Sequence, residues 1–348
     1  MELTAQNNCV YGLERKKVSS RTSRVISLAR FPLPMAVMAV HVFNSDPFVV
    51  KGITYAPLSY PLTTFMLDFV DKFIADFSVP AFFFISGLLF FAGGMNPEKY
   101  RNKLKRRSRS LLLPYLLWNL IAVVIAMLLY SPLGAKIAPS LEGKYFSMTL
   151  TEFISGFTVG EPVNSLPHAG NLWFVRELMT VILISPLIGY TIRKFRYVPI
   201  IIAWGVWAFG FVTECITYFQ NITGALLFFT SGAYFSSFGL DAVEKFSRHW
   251  KLALCVFIAI GLFGMIFDGS THLAYRSLKI FSVPCALMVL FAIMDKWGNL
   301  NFRNRLLGTT PLSQRMPGVA FVIFVAHGII FWHFKVLIFA IIRPTSDM

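Results

Sequence analysis

The sequence predicts an all-α fold, a polytopic bundle of membrane-spanning helices, and three observations support this. Hydrophobic residues make up 56% of the 348 residues and charged residues only 14%, whereas about a quarter of the residues of a soluble domain are charged. Apolar runs long enough to span a bilayer, about 20 residues each, recur along the chain. The basic residues lie in short clusters between these runs, so the net charge of +15 does not indicate a nucleic-acid partner.

Nine segments are candidate spans, so we expect a cytoplasmic tail over about 1–24 and one transmembrane domain over 25–348. The second candidate begins with a polar half, LDFVDKFIAD, which cannot face lipid. In chain order the candidates lie at about 27–45, 64–92, 111–130, 172–192, 197–213, 221–238, 252–268, 277–294 and 318–341.

The distribution of charge predicts the orientation of these spans. Most of the 32 Lys and Arg lie before the first span or in alternate loops, among them EKYRNKLKRRSRS and RKFR. Cytoplasmic loops carry an excess of Lys and Arg. The sequence therefore predicts a multi-pass protein of the cell (inner) membrane with a cytoplasmic N-terminus and, after nine spans, an external C-terminus.

Two titratable residues of the first span, Arg30 and His41, are the leading candidates for chemistry. Eleven residues at about 100° each place both side chains on one helix face, about 16 Å apart along the axis. Pro32 and Pro34 weaken the first turn, and the common face is less certain if the helix begins after them. Ionisable groups inside a membrane are functional by default, although a snorkelling Arg and a His bonded to a neighbouring span are the structural alternative.

The basic loop RNKLKRRSRS leads directly into the span LLLPYLLWNL. Topology accounts for part of its charge, but anionic lipid or a phosphate-bearing cofactor would also be attracted to it. Arg106 and Arg109 are one turn apart and share a face if this segment is helical.

Four further residues are candidates for contacts on the acceptor side or inside the bundle. Ser86 precedes Gly87 in VPAFFFISGLLFF, where a helix or a ligand can approach the backbone closely. Arg176 and Glu177 are adjacent in an apolar run, and because neighbouring helical residues point about 100° apart, each is expected to need a partner elsewhere. His327 lies in the final span, and rotation alone does not decide whether it faces the bundle.

Other classes of site find no support in the sequence. It contains no GxSxG, Walker or HExxH motif and no metal-type spacing of its four cysteines, so we predict no metal centre.

The chain resembles the integral-membrane acyltransferase family 3, whose members O-acylate sugars of bacterial surface polysaccharides. The resemblance covers about residues 22–335 and rests on Arg30-x10-His41, VPAFFFISGLLFF, the basic run before LLLPYLLW, LWFVREL and FVAHG. The family usually has ten spans. Nine are predicted here, so we expect the last span of the family pattern to be missing.

The resemblance implies a catalytic role for His41 and a role for Arg30, Arg106 and Arg109 in binding a cytoplasmic acyl-CoA, with acetyl-CoA as the expected donor. The acceptor would be a sugar hydroxyl of a cell-envelope or exported glycan, in lipid-linked form. His41 would act as general base or, alternatively, as a nucleophile that forms an acyl-His. A transporter or flippase for an envelope glycan or lipid is the second hypothesis, which broken helices or paired halves would support.

Overall fold

The structure is a computed structural model that describes most of the chain and confirms the all-α prediction. The described residues are 18–42, 48–50, 53–55, 61–129, 131, 149–160, 166–213, 217–267, 273–299, 322, 324–328 and 330–331. Within them, the strands are β1 (Phe48–Val50) and β2 (Ile53–Tyr55), which form a small antiparallel hairpin.

In the first half of the chain, the described residues form seven helices, two of which end in a wider π-helical turn. They are α1 (Ser20–Ala29), α2 (Pro32–Val42), α3 (Pro61–Val70) with the turn Asp71–Ala75, α4 (Asp76–Phe91), α5 (Pro97–Arg107) with the turn Ser108–Leu112, α6 (Leu113–Leu129) and α7 (Leu150–Ser155).

In the second half, the part of the chain that the structure describes up to Asn299 forms six helices, and the residues described between 322 and 331 are also helical. After a 3₁₀ turn at Gly170–Leu172, the helices are α8 (Trp173–Leu183), α9 (Ser185–Phe195), α10 (Val198–Val212), α11 (Thr217–Ser237), α12 (Ala242–Ile266) and α13 (Leu273–Asn299).

By length and composition, five helical stretches of the described residues can cross a membrane, and α8 with α9 makes a sixth if the pair is one span bent by 59°. The five are Ser20–His41, Thr64–Phe91, Pro97–Leu128, Ala242–Ile266 and Leu273–Gly298. The predicted first span began too late, because the helix starts at Ser20 where the Ser19 side chain caps it. The predicted fifth span is the shorter apolar helix α10, the predicted sixth corresponds to α11, and most of the ninth lies outside the described residues.

Helices α4 and α11 form the closest contact at the centre of the bundle. A Cβ on Gly87 would lie 2.0 Å from the Phe229 carbonyl oxygen, and one on Gly232 would lie 2.0 Å from that of Phe84. Because only glycine leaves room for the opposing backbone, these two positions set the separation of the helices. Part of the Ser86-Gly87 prediction is thus explained by helix packing.

Two ion and hydrogen-bond clusters attach the start of α1 to the second half of the chain. Asp241, the N-cap of α12, accepts hydrogen bonds from the Ser19 and Thr22 hydroxyl groups. On α13, the buried carboxylate of Asp295 accepts from Arg21 at 2.7 Å and contacts Arg24 at 3.4 Å. The N-terminal end of α1 is thereby fixed in the bundle.

Candidate functional site

A cavity of about 360 Å³ lies between α1, α2, α4, α5 and α8, and we call it the Arg30 cavity. The polar residues of its wall are Arg30, Arg107 and Ser86. The rest of the wall is apolar and includes Leu89 and Leu178. Two cations beside an apolar channel match a ligand with an anionic head and a thin, uncharged arm.

Some basic side chains of this loop region bind backbone carbonyl groups, and others line a recess at the surface. Lys99 donates to the Gly93 carbonyl oxygen at 2.7 Å, and Lys103 donates to the carbonyl groups of Phe90 and Ala92 at the end of α4. These two lysines therefore bind carbonyl groups that the end of a helix leaves unpaired.

Arg106 and Arg109 line one recess together with Asn102 and Lys105, as their predicted common face requires. This recess is distinct from the Arg30 cavity. The arginine of the loop that lines the Arg30 cavity is Arg107, which the sequence analysis did not select.

A second cavity, of about 320 Å³, contains His41, and we call it the His41 cavity. Its wall is strongly aromatic, with a few amide side chains and the ammonium group of Lys279. The aromatic residues are Phe83, Trp173, Phe174, Trp207, Phe211, Phe228 and Phe324, and the amides are Asn171, Gln220 and Asn221.

Arg30 and His41 therefore line different cavities, which the prediction of one common helix face did not anticipate. The helix is interrupted between them, since α1 ends at Ala29 and α2 begins at Pro32. The missing backbone donors of Pro32 and Pro34 explain the interruption.

The rings of His41 and His327 are neighbours, with their centroids 4.9 Å apart. His327 is buried, and its Nδ1 hydrogen-bonds to the Phe324 carbonyl oxygen. A carbonyl oxygen only accepts, so Nδ1 carries the proton and the lone pair of the neutral ring is on Nε2. His327 thus faces the bundle, and it contacts the residue predicted to be catalytic.

Three phenylalanine rings separate the two cavities. Phe174 and Phe324 line both of them, with ring centroids 5.9 Å apart, and Phe82 lies 5.4 Å from Phe174 on the side of the Arg30 cavity. We call this group the aromatic partition. Any group that passes from one cavity to the other has to pass these rings.

Asn171 holds the last described helix against the start of α8. Its Nδ2 donates to the carbonyl oxygens of Phe324 and Val325, each at 3.0 Å. A Cβ at Gly328 would lie 2.5 Å from the Asn171 side chain, so glycine is required after His327 for this close approach. The contact fixes both His327 and the ring of Phe324.

Arg176 and Glu177 form a buried ion pair with each other, and the expectation that adjacent residues would not pair is wrong. Arg176 Nε and Nη2 donate to Glu177 Oε1 at 3.0 and 2.7 Å. Long side chains can bend toward each other even where their Cα–Cβ bonds diverge. Neither residue is part of the described wall of the two cavities, and their contacts with the acceptor stay a prediction.

The polar half of the second span forms a charge cluster at the π-helical turn. Lys72 is buried and lies 2.7 Å from Asp71 and 3.9 Å from Asp68. The cluster extends to Lys279 on α13, whose Nζ is 4.0 Å from Asp71 Oδ1. Of this cluster, Lys279 lines the His41 cavity.

The candidate site therefore consists of two cavities. The Arg30 cavity is mainly apolar and has two arginines in its wall. The His41 cavity is mainly aromatic, and the ring of His41 lies beside that of His327. A neutral imidazole can accept the proton of a hydroxyl group near pH 7. The described residues contain no group of three His, Cys, Asp or Glu side chains arranged to hold a metal ion.

Comparison with known proteins identifies the family. The acyltransferase domain of acyltransferase family 3 matches residues 26–346. The succinoglycan biosynthesis protein ExoH of Rhizobium meliloti (strain 1021) is 27% identical over 259 residues, which cover 71% of this chain and 64% of that protein. The chain thus matches less than two thirds of the length of this relative. No solved structure matches the chain with statistical significance. Because the match extends over nearly the whole chain, the protein belongs to acyltransferase family 3.

Proposed function

We propose that the protein is a membrane-embedded O-acetyltransferase that moves an acetyl group from cytoplasmic acetyl-CoA to a sugar hydroxyl of a cell-envelope or exported glycan. The observation that carries the proposal is the pair of cavities that meet at the aromatic partition, with two arginines in one and His41 in the other. Membership of the family and the similarity to a succinoglycan biosynthesis protein support an acyl transfer to a polysaccharide.

Acetyl-CoA is the proposed occupant of the Arg30 cavity. Arg30 and Arg107 would bind its phosphates, because guanidinium groups form paired, charge-assisted hydrogen bonds with phosphate oxygens. Arg106 and Arg109, in the adjoining recess, would attract the same polyanion. The apolar wall suits the uncharged pantetheine arm, whose thioester would reach the partition.

His41 is the proposed general base. Its imidazole accepts the proton of the sugar hydroxyl while the hydroxyl oxygen attacks the thioester carbonyl carbon. The new C–O bond forms, the C–S bond breaks, and the proton passes from His41 to the departing thiolate, which leaves as free CoA. The position of His41 in the chamber away from the two arginines favours attack by the acceptor over an acyl-His intermediate.

The proposed location is the inner cell membrane with the N-terminus in the cytoplasm. The start of α1 and the basic loop lie at the same end of the bundle as the Arg30 cavity. Because cytoplasmic loops are rich in Lys and Arg, this end would face the acetyl-CoA of the cytoplasm.

The test measures transfer of radiolabelled acetyl groups from acetyl-CoA to envelope glycans in membranes of the host. We expect base-labile label with the unaltered protein and a decrease on the order of 10²-fold or more for His41→Asn, as is typical when a general base is removed. His249→Asn is the matched control, because His249 is exposed on α12 and lines neither cavity. Equal transfer by His41→Asn and the control would exclude the assigned base.

Transport of an envelope glycan or lipid is the second candidate, and the 59° bend between α8 and α9 favours it. Broken helices are typical of transporter binding sites. Consumption of acetyl-CoA separates the two functions: a transporter would move its cargo while the amount of acetyl-CoA stays constant.

A further inference from the structure

We infer that the His41 cavity binds an acceptor sugar bearing a negatively charged group, a carboxylate or a phosphate, and that Lys279 is the residue that recognises it. This rests on the proposed function and narrows its acceptor to an anionic class. Three observations support this assignment: the residues of the cavity wall, the presence of Lys279 in that wall and the ion pairs around Lys279.

The wall of the cavity has the composition of a site for an amphipathic ring. Two indole groups, Trp173 and Trp207, and several phenyl rings form flat apolar surfaces, and amide groups stand between them. A sugar offers apolar C–H faces and a rim of hydroxyl groups. The aromatic rings can cover the apolar faces of a sugar, and the amide groups can hydrogen-bond to its hydroxyl groups. Ligand sites are mainly apolar with a small number of placed polar groups.

Lys279 adds a basic side chain to this wall. It is the charged residue that the described part of the wall contains, and His41 is the titratable residue beside it in that wall. Low-dielectric walls focus the field of such a charge into the cavity. A cation in this position therefore selects an acceptor that carries an anion.

Lys279 shares the carboxylate of Asp71 with a second lysine, Lys72. Asp71 lies between two lysines, but its contact with Lys72 is 2.7 Å whereas its contact with Lys279 is 4.0 Å. Asp68 also points to Lys72, at 3.9 Å. The ring of Tyr275 lies 5.1 Å from the ammonium group of Lys72 and 5.7 Å from that of Lys279. The carboxylates are thus held more closely by the deeper lysine, and Lys279 borders the cavity.

Binding of three soluble probes to the purified full chain in lipid nanodiscs tests the inference. The probes are methyl β-D-glucoside, which is neutral, methyl β-D-glucuronide, which has a carboxylate, and glucose 1-phosphate. Titration follows the fluorescence of the tryptophans, two of which line the cavity. We expect the better acidic probe to bind about tenfold or more tightly than the neutral one, because a hydrogen bond to a charged partner contributes that much. Which acidic probe binds more tightly distinguishes a charged sugar from a sugar phosphate.

Lys279→Gln should remove this preference, and Lys279→Arg should retain most of it. Arg276→Gln is the matched control, because it removes one positive charge from the same helix at a residue that does not line the cavity. Equal affinity for the acidic and neutral probes, no saturable binding of either acidic probe, or an unchanged preference in Lys279→Gln would each overturn the inference.

Acetyl-CoA binding, measured in the same nanodiscs, keeps this inference separate from the proposed function. If acetyl-CoA binds and the acidic probes show no advantage, the assignment to Lys279 fails while the proposed donor site stands. If acetyl-CoA does not bind to the unaltered protein, the proposed function itself fails. Retention of acetyl-CoA binding by Lys279→Gln shows that the variant is folded.

Discussion

Adjacent arginines of the basic loop have different surroundings, and this difference predicts their effects. Arg107 lines the Arg30 cavity, whereas Arg106 lines the recess outside it. We expect Arg107→Met to weaken acetyl-CoA binding about 10- to 100-fold, because loss of a charge-assisted hydrogen bond costs about 1.5–3 kcal/mol. Arg106→Met removes the same charge from the same turn and should have a smaller effect. Calorimetric titration of both variants with acetyl-CoA checks this, and a larger loss for Arg106→Met would contradict it.

His327 is predicted to support the reaction through its contact with His41. Its Nδ1 is engaged by the Phe324 carbonyl group, so Nε2 carries the lone pair of the neutral ring, beside a base that becomes positively charged. His327→Phe keeps a ring in the same space but removes this acceptor. We expect the rate of acetyl transfer to fall on the order of tenfold to 10²-fold, with acetyl-CoA affinity unchanged.

The readout for His327→Phe is the maximal rate measured separately from donor affinity. His327→Gln, which restores a polar acceptor, should recover part of the rate. A variant with the full rate would mean that the His41–His327 contact is only a packing contact.

At the scale of helices, the crossing of α4 and α11 requires glycine. A Cβ at Gly87 would meet backbone atoms of α11, so Gly87→Ala should destabilise the protein by about 1–3 kcal/mol, as overpacking does. Gly205→Ala is the matched control, because Gly205 is also helical and a Cβ there has no heavy atom within 4 Å. Thermal unfolding in detergent compares them, and equal unfolding temperatures would show that the contact can relax.

The contact between the start of α1 and α12 should depend on pH through Asp241. Burial alone would raise the pKa of this carboxyl group, but its hydrogen bonds from Ser19, the Glu244 backbone and Thr22 outweigh burial and lower the pKa. The stability that it contributes is therefore present above the pKa of the unfolded chain and is lost as the pH falls through the lowered pKa.

Asp241→Asn should therefore lower the stability near pH 7 by about 1 kcal/mol, because a neutral amide oxygen accepts the hydrogen bonds of Ser19 and Thr22 more weakly than a carboxylate does, and should flatten the acid limb of the profile. Thermal unfolding from pH 7 to pH 3 measures both effects. An acid limb as steep as in the unaltered protein would assign the acid sensitivity to other carboxyl groups.

The helices could be predicted from the sequence to a large extent, because spans are long and apolar and the bilayer sets their length. The breaks could not. The π-helical turns at 71–75 and 108–112 depend on which partners the side chains find, as the ion pairs of Lys72 show. The start of α1 was placed too late because its first turn is polar and is stabilised by Asp241 and Asp295, which lie more than 200 residues away in the chain.

Residues that line the two cavities could be predicted where they stand out in the local sequence, and were missed where only packing places them in a cavity wall. His41 and Arg30 stand out as charged or titratable groups in an apolar run. Arg107 has the same composition around it as Arg106, and only the three-dimensional arrangement separates them. Lys279 lies in the run SLKIFSVP, where a single cation inside a predicted span was the available signal.

For the whole molecule, the proposed orientation predicts which residues an impermeant reagent can reach. In a chain whose four cysteines are replaced by serine, Thr151→Cys on α7 should react with an impermeant maleimide in intact cells. Arg248→Cys on α12 should react only after the membrane is permeabilised, because positively charged loops remain in the cytoplasm. Both side chains are exposed. The reverse pattern of labelling would invert the bundle and move the Arg30 cavity away from the acetyl-CoA of the cell.

The aromatic partition also has a consequence for the energy metabolism of the cell. The two cavities are separate volumes that share Phe174 and Phe324, whose rings meet edge to face. Under the proposed function, each turnover exports a two-carbon group and carries one proton inward, from the sugar hydroxyl group to the thiol of the released CoA. Modification of the cell surface then costs one thioester bond and one proton of the gradient.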